Sequence, residues 1–312
     1  MRVLSLTTTA WRSFYESQEK ALEEAGVEYT TLEVPGDHRA FDEDVRKRSV
    51  IDYLRYYPQV VRNSFRDYDL VHANYGLTAP YAVGQFRLPV VCTLWGGEFI
   101  GNRFERPIRF FSNLSDELIV PSNAMADRVE REAHVIPFPV DTDLFRPILR
   151  EKAREAVGWD PDETIVLFPY AKSRYEKNYP LARRTVEAIN ERGSVGDVSL
   201  RAVANRPYEE VPWFVNAADA VLITSRWESG PMVVKEALAC TVPVVSTDVG
   251  FSREVLSGVN NAAVCGSDAE LVDALARVLE RDEPADGRDR IAGYGTAEMG
   301  DRIRAVYERC LR

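Results

Sequence analysis

Short apolar, β-branched runs alternate along this chain with amphipathic segments of helical period. Strands that alternate with helices in this way are typical of an α/β fold, a parallel sheet wrapped by helices. In the first half of the chain, the pattern predicts helices at SFYESQEKALEEAG and ADRVERE, and strands at RVLSL, VEYTTLEV, YDLVHAN, LPVVCTLW, DELIVPS and HVIPF.

The pattern breaks at residues 137–147, PFPVDTDLFRP, where three prolines and two acids interrupt it. It then resumes with helices at NYPLARRTVEAINERG, PMVVKEALAC and DAELVDALARVLER, and strands at TIVLFPY, VSLRAVA, ADAVLIT, VPVVSTD and NAAVCG. The break predicts a crossover between two domains, 1–140 and 141–295, that face each other across a cleft. The last amphipathic segment, 296–312, is expected to pack back on the first domain.

Composition narrows the class of protein. The 312-residue chain has a formal net charge of −10, which argues against nucleic acid as a partner because phosphate binding needs clustered Lys and Arg. No apolar run reaches the roughly 18 residues of a membrane span, and Met1 leads directly into a strand rather than a signal peptide. Four scattered cysteines indicate reduced thiols in a cytoplasmic protein. Three separated histidines form no ligand pattern, so we expect neither a metal nor a cofactor.

The stretch ESGPMVVKE, residues 228–236, follows a predicted strand that ends near Thr224. Pro231 suits the first position of the next helix, with Gly230 or Ser229 as its cap. The first N–H groups of a helix are free and lie at the positive end of its dipole. The sequence therefore predicts an anion site at the carboxyl end of the second sheet, where ligands bind in such folds.

Two acids flank this predicted anion site. Glu228 precedes the helix, and Glu236 lies five residues beyond Pro231, roughly 7.5 Å along the axis. Carboxylates accept hydrogen bonds from vicinal hydroxyls, so one acid suits a sugar and the other a ribose, with a diphosphate between them. This order predicts a nucleoside diphosphate sugar as the ligand.

Positive charge for the diphosphate is expected from AKSRYEKN, residues 171–178, which follows the first strand of the second domain. Lys172, Arg174 and Lys177 are concentrated in this segment. Fixed cations stabilise the charge that develops on a departing diphosphate. They would do the work that a metal ion does in other transferases.

With these segments, the chain resembles the retaining nucleotide-sugar glycosyltransferases of family 4, which have the GT-B fold of two Rossmann-like domains. Glu228 and Glu236 match the E-x7-E element of that family, and Glu254 follows PVVSTDVG as in its next loop. The segments VIPFPVDTDLFRP, AKSRYEKN, DLVHANYG and TLWGGE are similar to further family motifs, so the resemblance covers nearly the whole chain.

The resemblance implies transfer of a sugar to an acceptor hydroxyl of a glycan, lipid or polysaccharide precursor, with retention and without a metal. It implies that Glu236 binds the ribose and Glu228 the donor sugar, while Lys172 and Lys177 hold the diphosphate. Donor binding is implied at the helix start, by Ser229, Gly230, Pro231, Met232 and Val233.

The chain departs from the family pattern at three places. The family arginine is Lys172 here, so Arg174 is the alternative second phosphate cation, and Lys lacks the bidentate fork of Arg. The family histidine of the first domain is Trp95, beside Gly96, which favours stacking over a polar contact. TTTAWRSF replaces the usual glycine-rich loop, and Thr9, Arg12 or Ser13 is expected to meet the acceptor or a phosphate.

Several alternatives stay open. Residues 45–66 are basic and aromatic, which suits either a solvated helix face or a peripheral contact with membrane headgroups, extended by 103–111. Asp141 and Asp143 resemble a metal-binding pair but favour turn chemistry. The loop 204–212 is expected to contact the nucleobase. The rival functions are a nucleotide-sugar epimerase of the same fold and a non-catalytic sugar-binding or nucleotide-binding protein.

Overall fold

The structure, a computed structural model, describes residues 1–8, 13–36, 48–97 and 104–312. Contacts among the Cα atoms divide the chain into two units. Unit 1 comprises Met1–Pro139 and Thr296–Arg312, and unit 2 comprises Val140–Gly295. The chain therefore leaves unit 1 within the predicted crossover and returns to it with the last helix.

Each unit is built on its own parallel sheet. The strands are β1 (Arg2–Thr7), β2 (Glu28–Glu33), β3 (Leu70–Ala73), β4 (Val90–Thr93), β5 (Glu117–Val120), β6 (His134–Val135), β7 (Thr164–Phe168), β8 (Val198–Ala202), β9 (Ala220–Ile223), β10 (Val244–Thr247) and β11 (Ala263–Cys265). In unit 1 the strand order is β2-β1-β3-β4-β5-β6, and in unit 2 it is β11-β10-β9-β7-β8. All the pairings described are parallel.

Helices connect the strands. They are α1 (Ser13–Glu24), α2 (Val50–Ser64), α3 (Ala79–Val83), α4 (Glu105–Ser112), α5 (Asn123–Ala126), α6 (Arg150–Val157), α7 (Tyr179–Arg192), α8 (Val211–Asn216), α9 (Met232–Ala239), α10 (Ser252–Leu256), α11 (Asp268–Arg281), α12 (Arg288–Ile291) and α13 (Thr296–Cys310). Short 3₁₀ turns lie at Gly76–Thr78, Tyr175–Lys177, Tyr208–Glu210 and Ala292–Tyr294. The predicted α/β fold is confirmed.

The last helix completes the core of unit 1. α13 packs along α1 so closely that a Cβ added at Gly300 would lie 2.4 Å from the carbonyl oxygen of Ala21. The Tyr307 hydroxyl lies 2.7 Å from Nδ1 of buried His72. Burial lowers the pKa of His72 to about 3, so its imidazole is neutral at physiological pH and has a structural role.

In unit 2, α7 and α11 share one core cluster with the sheet, formed by residues such as Ile189 and Leu275. The short helix α9 packs against α8, α10, α12 and β10. It is apolar along most of its length and buried from Val233 to Ala239. A charged side chain on this helix is therefore enclosed by protein, and this determines the chemistry of the site.

One predicted element is wrong. The segment ADRVERE was expected to be helical, but α5 ends at Ala126 and turns follow it. Arg131 donates to three backbone carbonyls, those of Asn113 (3.1 Å), Ser115 (2.5 Å) and Asp116 (2.9 Å). These bonds hold the segment against the loop before β5, which a continuous helix would not permit.

Asp141 has the predicted turn chemistry. Its Oδ1 accepts from the N–H groups of Asp143 (3.0 Å) and Leu144 (2.9 Å).

In the described part of the chain, no helix is both long enough and apolar enough to cross a bilayer.

Candidate active site

The candidate site lies at the carboxyl ends of β7 and β9, which are neighbours in the sheet of unit 2. Because the two strands are parallel, their carboxyl ends meet at one edge. β7 leads into the lysine-bearing segment 169–178, and β9 leads into the segment 224–231 that carries Glu228. The topology thus brings together two segments that are about fifty residues apart in sequence.

Polar contacts tie these two segments to each other. The Thr224 hydroxyl donates to the carbonyls of Lys177 (3.0 Å) and Asn178 (3.1 Å). The Arg226 backbone N–H donates to the Glu176 carbonyl at 2.8 Å, and its guanidinium donates to Asn178 Oδ1 at 3.0 Å. Asn178 has a φ of 56°, a left-handed conformation that Asn tolerates better than most residues. The contacts fix the lysine segment beside the glutamate.

Lys177 and Glu228 form a buried ion pair. The Lys177 ammonium donates to Glu228 Oε1, and these side chains are 6% and 12% exposed. The Ser225 hydroxyl donates to the same oxygen at 2.8 Å. The ammonium also lies 4.0 Å from the ring centroid of Tyr170. Both groups were predicted to be functional, and the structure places them in direct contact.

Burial sets the ionisation of this pair. It lowers the pKa of Lys177, and the carboxylate of Glu228 opposes that change. The Tyr170 hydroxyl is buried and has no hydrogen bond of normal geometry. Burial raises the pKa of that phenol well above its usual value, and the charges of Glu228 and Glu236 raise it further. Tyr170 thus lies within electrostatic range of both acids.

The helix after Glu228 begins one residue later than predicted. Pro231 is the N-cap rather than the first helical residue, and α9 starts at Met232. No side chain caps this helix, so the expected capping by Ser229 or Gly230 is wrong. Without an N–H group of its own, Pro231 leaves the amides of Met232 and Val233 to lead the helix.

Gly230 is required by close packing before α9. A Cβ at this position would lie 2.2 Å from Cε1 of Phe251, which is too close for any side chain. Gly250, with a φ of 55°, brings its own chain against Gly230, where an added Cβ would lie 2.8 Å from the Gly230 Cα. The corner at the helix start is therefore formed by two glycines and one aromatic ring.

Glu236 is on α9 and is only 7% exposed. Burial raises its pKa to about 7, opposed by a hydrogen bond from Tyr208 and by the charge of Lys235. The Tyr208 hydroxyl donates to Glu236 Oε1 at 3.2 Å. Lys235 is fully buried, and its ammonium lies 4.5 Å from the ring centroid of Phe251 and 4.8 Å from that of Tyr294. Burial lowers the pKa of Lys235 to about 7.

The other predicted cations are placed differently from Lys177. Lys172 is exposed, with its ammonium 5.0 Å from the ring centroid of Tyr179. Arg174 is half-exposed and donates to Glu176 at 2.6 Å. The structure therefore joins only Lys177, of these three cations, directly to Glu228.

The residues predicted in the first domain lie in unit 1. Trp95 is 7% exposed, stacks on Phe138 with ring centroids 5.0 Å apart, and donates its indole N–H to Asn74. Gly96 is buried and has a φ of 104°. Arg12, with Thr9, lies outside the described residues, and the side chain of Ser13 is not described.

Sequence reasoning did not single out Tyr170, Tyr208 or Lys235. Tyr170 ends the predicted strand TIVLFPY, and Lys235 directly precedes Glu236. The sequence thus showed that both residues lie next to the predicted site, but it did not show that their side chains are buried. Tyr208 lies in the loop 204–212, which was expected to face the nucleobase. Among the described residues, no group of three or more His, Cys, Asp or Glu side chains could hold a metal ion.

Two family models match the chain. The model described as Glycosyltransferase Family 4 matches residues 17–144, and the model described as Glycosyl transferases group 1 matches residues 199–296. The second range contains Glu228, the start of α9 and Glu236. The ion-pair partner Lys177 lies between the two ranges.

Solved structures share the whole architecture. Sucrose-phosphate synthase from Thermosynechococcus elongatus aligns with a TM-score of 0.72 at 18% identity, covering 99% of this chain and 98% of that one. HepE from Anabaena, in complex with UDP and glucose, aligns with a TM-score of 0.69 at 15% identity, covering 99% of each chain. The chain has the GT-B fold. Unit 1 and unit 2 correspond to the two Rossmann-like domains of that fold.

A curated relative aligns with this chain over only part of its own length. D-inositol 3-phosphate glycosyltransferase 1 from Catenulispora acidiphila is 29% identical over 233 residues. That alignment covers 62% of this chain and 54% of the relative, so the chain spans about half the length of that protein.

Proposed function

We propose that this protein is a family 4 glycosyltransferase, which moves a sugar from a nucleoside diphosphate sugar to an acceptor hydroxyl with retention of configuration. The observation that carries the proposal is the group in unit 2: the buried pair Lys177–Glu228, the glycine corner before α9, and buried Glu236. The group has a cation, leading helix amides and two carboxylates in the order that such a donor requires.

We assign the donor groups to these residues one by one. The diphosphate takes the amides of Gly230, Met232 and Val233 with the ammonium of Lys177, and Glu236 takes the ribose hydroxyls. Glu228 takes the hydroxyls of the donor sugar. Ser229 and Pro231 shape the same corner, while exposed Lys172 or Arg174 supplies a second cation to the diphosphate.

The charges suggest how the reaction proceeds. As the glycosidic bond breaks, negative charge grows on the departing diphosphate, and the Lys177 ammonium stabilises it. The acceptor hydroxyl attacks from the face that the diphosphate leaves, and a phosphate oxygen takes its proton. A fixed cation in this position supports transfer without a divalent metal, so we expect activity to persist in EDTA.

The neighbours suggest where to look for substrates. HepE was solved with UDP and glucose, and a trehalose-6-phosphate protein from E. coli with UDP-2-fluoro glucose. UDP-glucose is therefore the first donor to test, followed by other nucleotide-sugars. We assign the acceptor, a glycan or lipid-linked precursor, to unit 1, where Trp95 and Gly96 follow β4. The four free cysteines support a reducing, cytoplasmic setting for this reaction.

The decisive experiment measures donor affinity and product configuration together. Glu236→Ala and Lys177→Ala are titrated with UDP-glucose and GDP-glucose, beside Glu280→Ala and Lys152→Ala as exposed controls on the same unit. Both site variants are expected to lose at least about tenfold in affinity, and the controls none. Unchanged affinity in both site variants would reject the assignment. NMR of the product tests retention, and incubation without acceptor separates transfer from epimerisation.

We also propose a peripheral contact between α2 and an anionic membrane surface. Val50, Ile51 and Leu54 are 76%, 56% and 68% exposed at the start of this helix. Arg55 and Arg62 are exposed further along it, while Tyr56 and Val60 anchor the opposite face in the core. Exposed apolar side chains beside arginines suit the boundary between headgroups and acyl chains. A lipid-linked acceptor would be reached at such a surface.

A further inference from the structure

Glu236 and Tyr208 come from separate elements and meet inside unit 2. The Tyr208 hydroxyl, on the 3₁₀ turn Tyr208–Glu210, donates to Oε1 of Glu236 at 3.2 Å. The Tyr208 ring is held by the ring of Phe145, with centroids 5.3 Å apart. The phenol is thus positioned by packing on one side and bonded to the carboxylate on the other.

This carboxylate has few other sources of stabilisation. Lys235 acts on it from the same helix, Tyr170 lies within range from the end of β7, and the Cys240 thiol follows on the next turn. The Lys235 ammonium is itself buried beside two aromatic rings, and burial lowers its pKa to about 7, so its positive charge is lost as the pH rises above neutral. A buried carboxylate without a strong partner takes up a proton near neutral pH.

We infer that Tyr208 is a positioning residue that, by donating to Oε1, keeps the Glu236 carboxylate ionised and turned for the ribose hydroxyls of the donor. The inference rests on the proposed function, because it assumes that Glu236 binds the ribose. Tyr208 occupies one oxygen of the carboxylate and leaves the second for the ligand. A phenol suits this task because burial raises its pKa, so that it stays a donor at any physiological pH.

The sign of the pH effect follows from the bond. The pKa of Glu236 is raised to about 7 by burial, and the bond from Tyr208 lowers it by stabilising the charged form. If the ionised form binds the ribose, donor affinity is full above this pKa and is lost as the pH falls through it. Removing the phenol oxygen raises the pKa of Glu236 further, so the loss begins at a higher pH.

The test follows the affinity for UDP-glucose and GDP-glucose between about pH 5.5 and pH 8.5. Nucleotide-sugars are used because the terminal phosphate of a free nucleotide titrates near pH 6, which would obscure the carboxylate. The variants are Tyr208→Phe, which keeps the ring on Phe145, and Glu236→Gln. Tyr81→Phe is the matched control, since its ring packs on those of Tyr53 and Tyr56 in unit 1.

The wild type and Tyr81→Phe are expected to lose about tenfold in affinity per pH unit below a midpoint near pH 7. Tyr208→Phe is expected to move that midpoint upward by about one pH unit while staying within a few-fold of wild type at pH 8.5. Glu236→Gln is expected to bind weakly at every pH, without a midpoint. The pH profile of kcat/KM for the donor should show the same midpoints.

The possible results distinguish a failure of this inference from a failure of the proposed function on which it rests. A Tyr208→Phe midpoint equal to that of the wild type, or a uniform loss of affinity at all pH values, would overturn the inference. Wild-type protein that binds neither nucleotide-sugar, or Glu236→Gln that binds like wild type, would instead overturn the proposed function. Melting temperatures of the variants confirm that each comparison is made on folded protein.

Discussion

At the scale of single residues, the opposite charges of Lys177 and Glu228 neutralise each other inside unit 2. A diphosphate that engages the ammonium competes with a carboxylate already bonded to it. The Ser225 hydroxyl also donates to Glu228, so the carboxylate would keep one donor with the lysine engaged by a diphosphate. In our proposal, the pair neutralises two buried charges in the absence of a donor and takes part in catalysis once the donor is bound.

Variants of this pair should separate stability from activity. Glu228→Leu leaves a buried, uncompensated ammonium and is expected to destabilise unit 2 by about 3 kcal/mol. The double variant Lys177→Met, Glu228→Leu is expected to recover most of that stability, because an apolar pair replaces two buried charges.

Chemical denaturation measures the stabilities, and sugar transfer from UDP-glucose measures activity. Both variants are expected to be inactive. Activity in the double variant would contradict the proposed roles, whereas failure to recover stability would contradict the account of the buried pair. Lys152→Met is the control for the lysine substitution, since that side chain is exposed.

At this scale the sequence predicted which residues belong to the candidate site, but not which of their side chains contact each other. The order of Glu228, a glycine corner and Glu236 was visible in nine residues. The contact of Lys177 with Glu228 was not visible, because it depends on how segment 169–178 turns after β7. Tyr208 was hidden for a similar reason: its bond to Glu236 spans 28 positions and arises only when the chain folds.

At the scale of elements, the start of α9 depends on contacts between loops. Gly230 faces Phe251, which follows β10, and the ring of Phe251 in turn lies over the ammonium of Lys235. The loop after β10 therefore supports both the amides before α9 and a charge within it. This arrangement explains why a glycine stands at this corner.

Gly230→Ala is expected to weaken donor affinity at least about tenfold and to lower stability by about 1–3 kcal/mol, because the new Cβ collides with the ring of Phe251. Phe251→Ala removes the ring. In the double variant the two effects should be less than additive, with a coupling of about 1–2 kcal/mol measured by a thermodynamic cycle.

Gly293→Ala is the matched control, since an added Cβ there meets nothing within 4 Å. Strict additivity of Gly230→Ala and Phe251→Ala would show that the collision is relieved elsewhere. A loss of donor affinity in Gly293→Ala equal to that in Gly230→Ala would contradict the role assigned to Gly230 in donor binding.

Most elements could be predicted because strand and helix periods are local properties. The predicted segment DAELVDALARVLER coincides with α11, where the Ser267 hydroxyl accepts from the N–H of Glu270. The helix predicted at ADRVERE is wrong because Arg131 donates to carbonyls 15 to 18 residues earlier in the chain. The spacing of apolar residues carries no information about such a contact.

At the scale of the whole molecule, two glycosyltransferase models match parts of the chain, the fold is of the GT-B type, and α2 bears on the proposed membrane contact. Its exposed apolar side chains differ from those of α9, which are buried. Such side chains on a stable helix, capped by Asp52 accepting from the N–H and hydroxyl of Ser49, are available to a lipid surface.

The protein is expected to sediment with vesicles that contain anionic lipid and much less with neutral vesicles. Leu54→Glu should reduce this binding about tenfold or more, because it places a charge among the apolar side chains. Lys152→Gln, which also lowers the net charge by one at an exposed site, is the control for altered net charge. Equal binding to both kinds of vesicle, or full binding by Leu54→Glu, would reject the contact.

The architecture of two α/β domains could be predicted from the order of strands and helices alone. Close packing of α13 on α1 could be expected only in outline, since the approach at Gly300 and the contact of Tyr307 with His72 join residues far apart in the chain. The partner of an amphipathic face is set by tertiary packing, and the period shows only that such a face exists.

The return of α13 to unit 1 has a consequence for synthesis on the ribosome. The first 139 residues leave the exit tunnel long before the helix that covers one face of their sheet, whereas unit 2 has its whole sequence once residue 295 has emerged. The domain translated second is thus the first able to finish folding. Unit 1 waits, with the apolar surface around α1 uncovered, until residues 296–312 arrive.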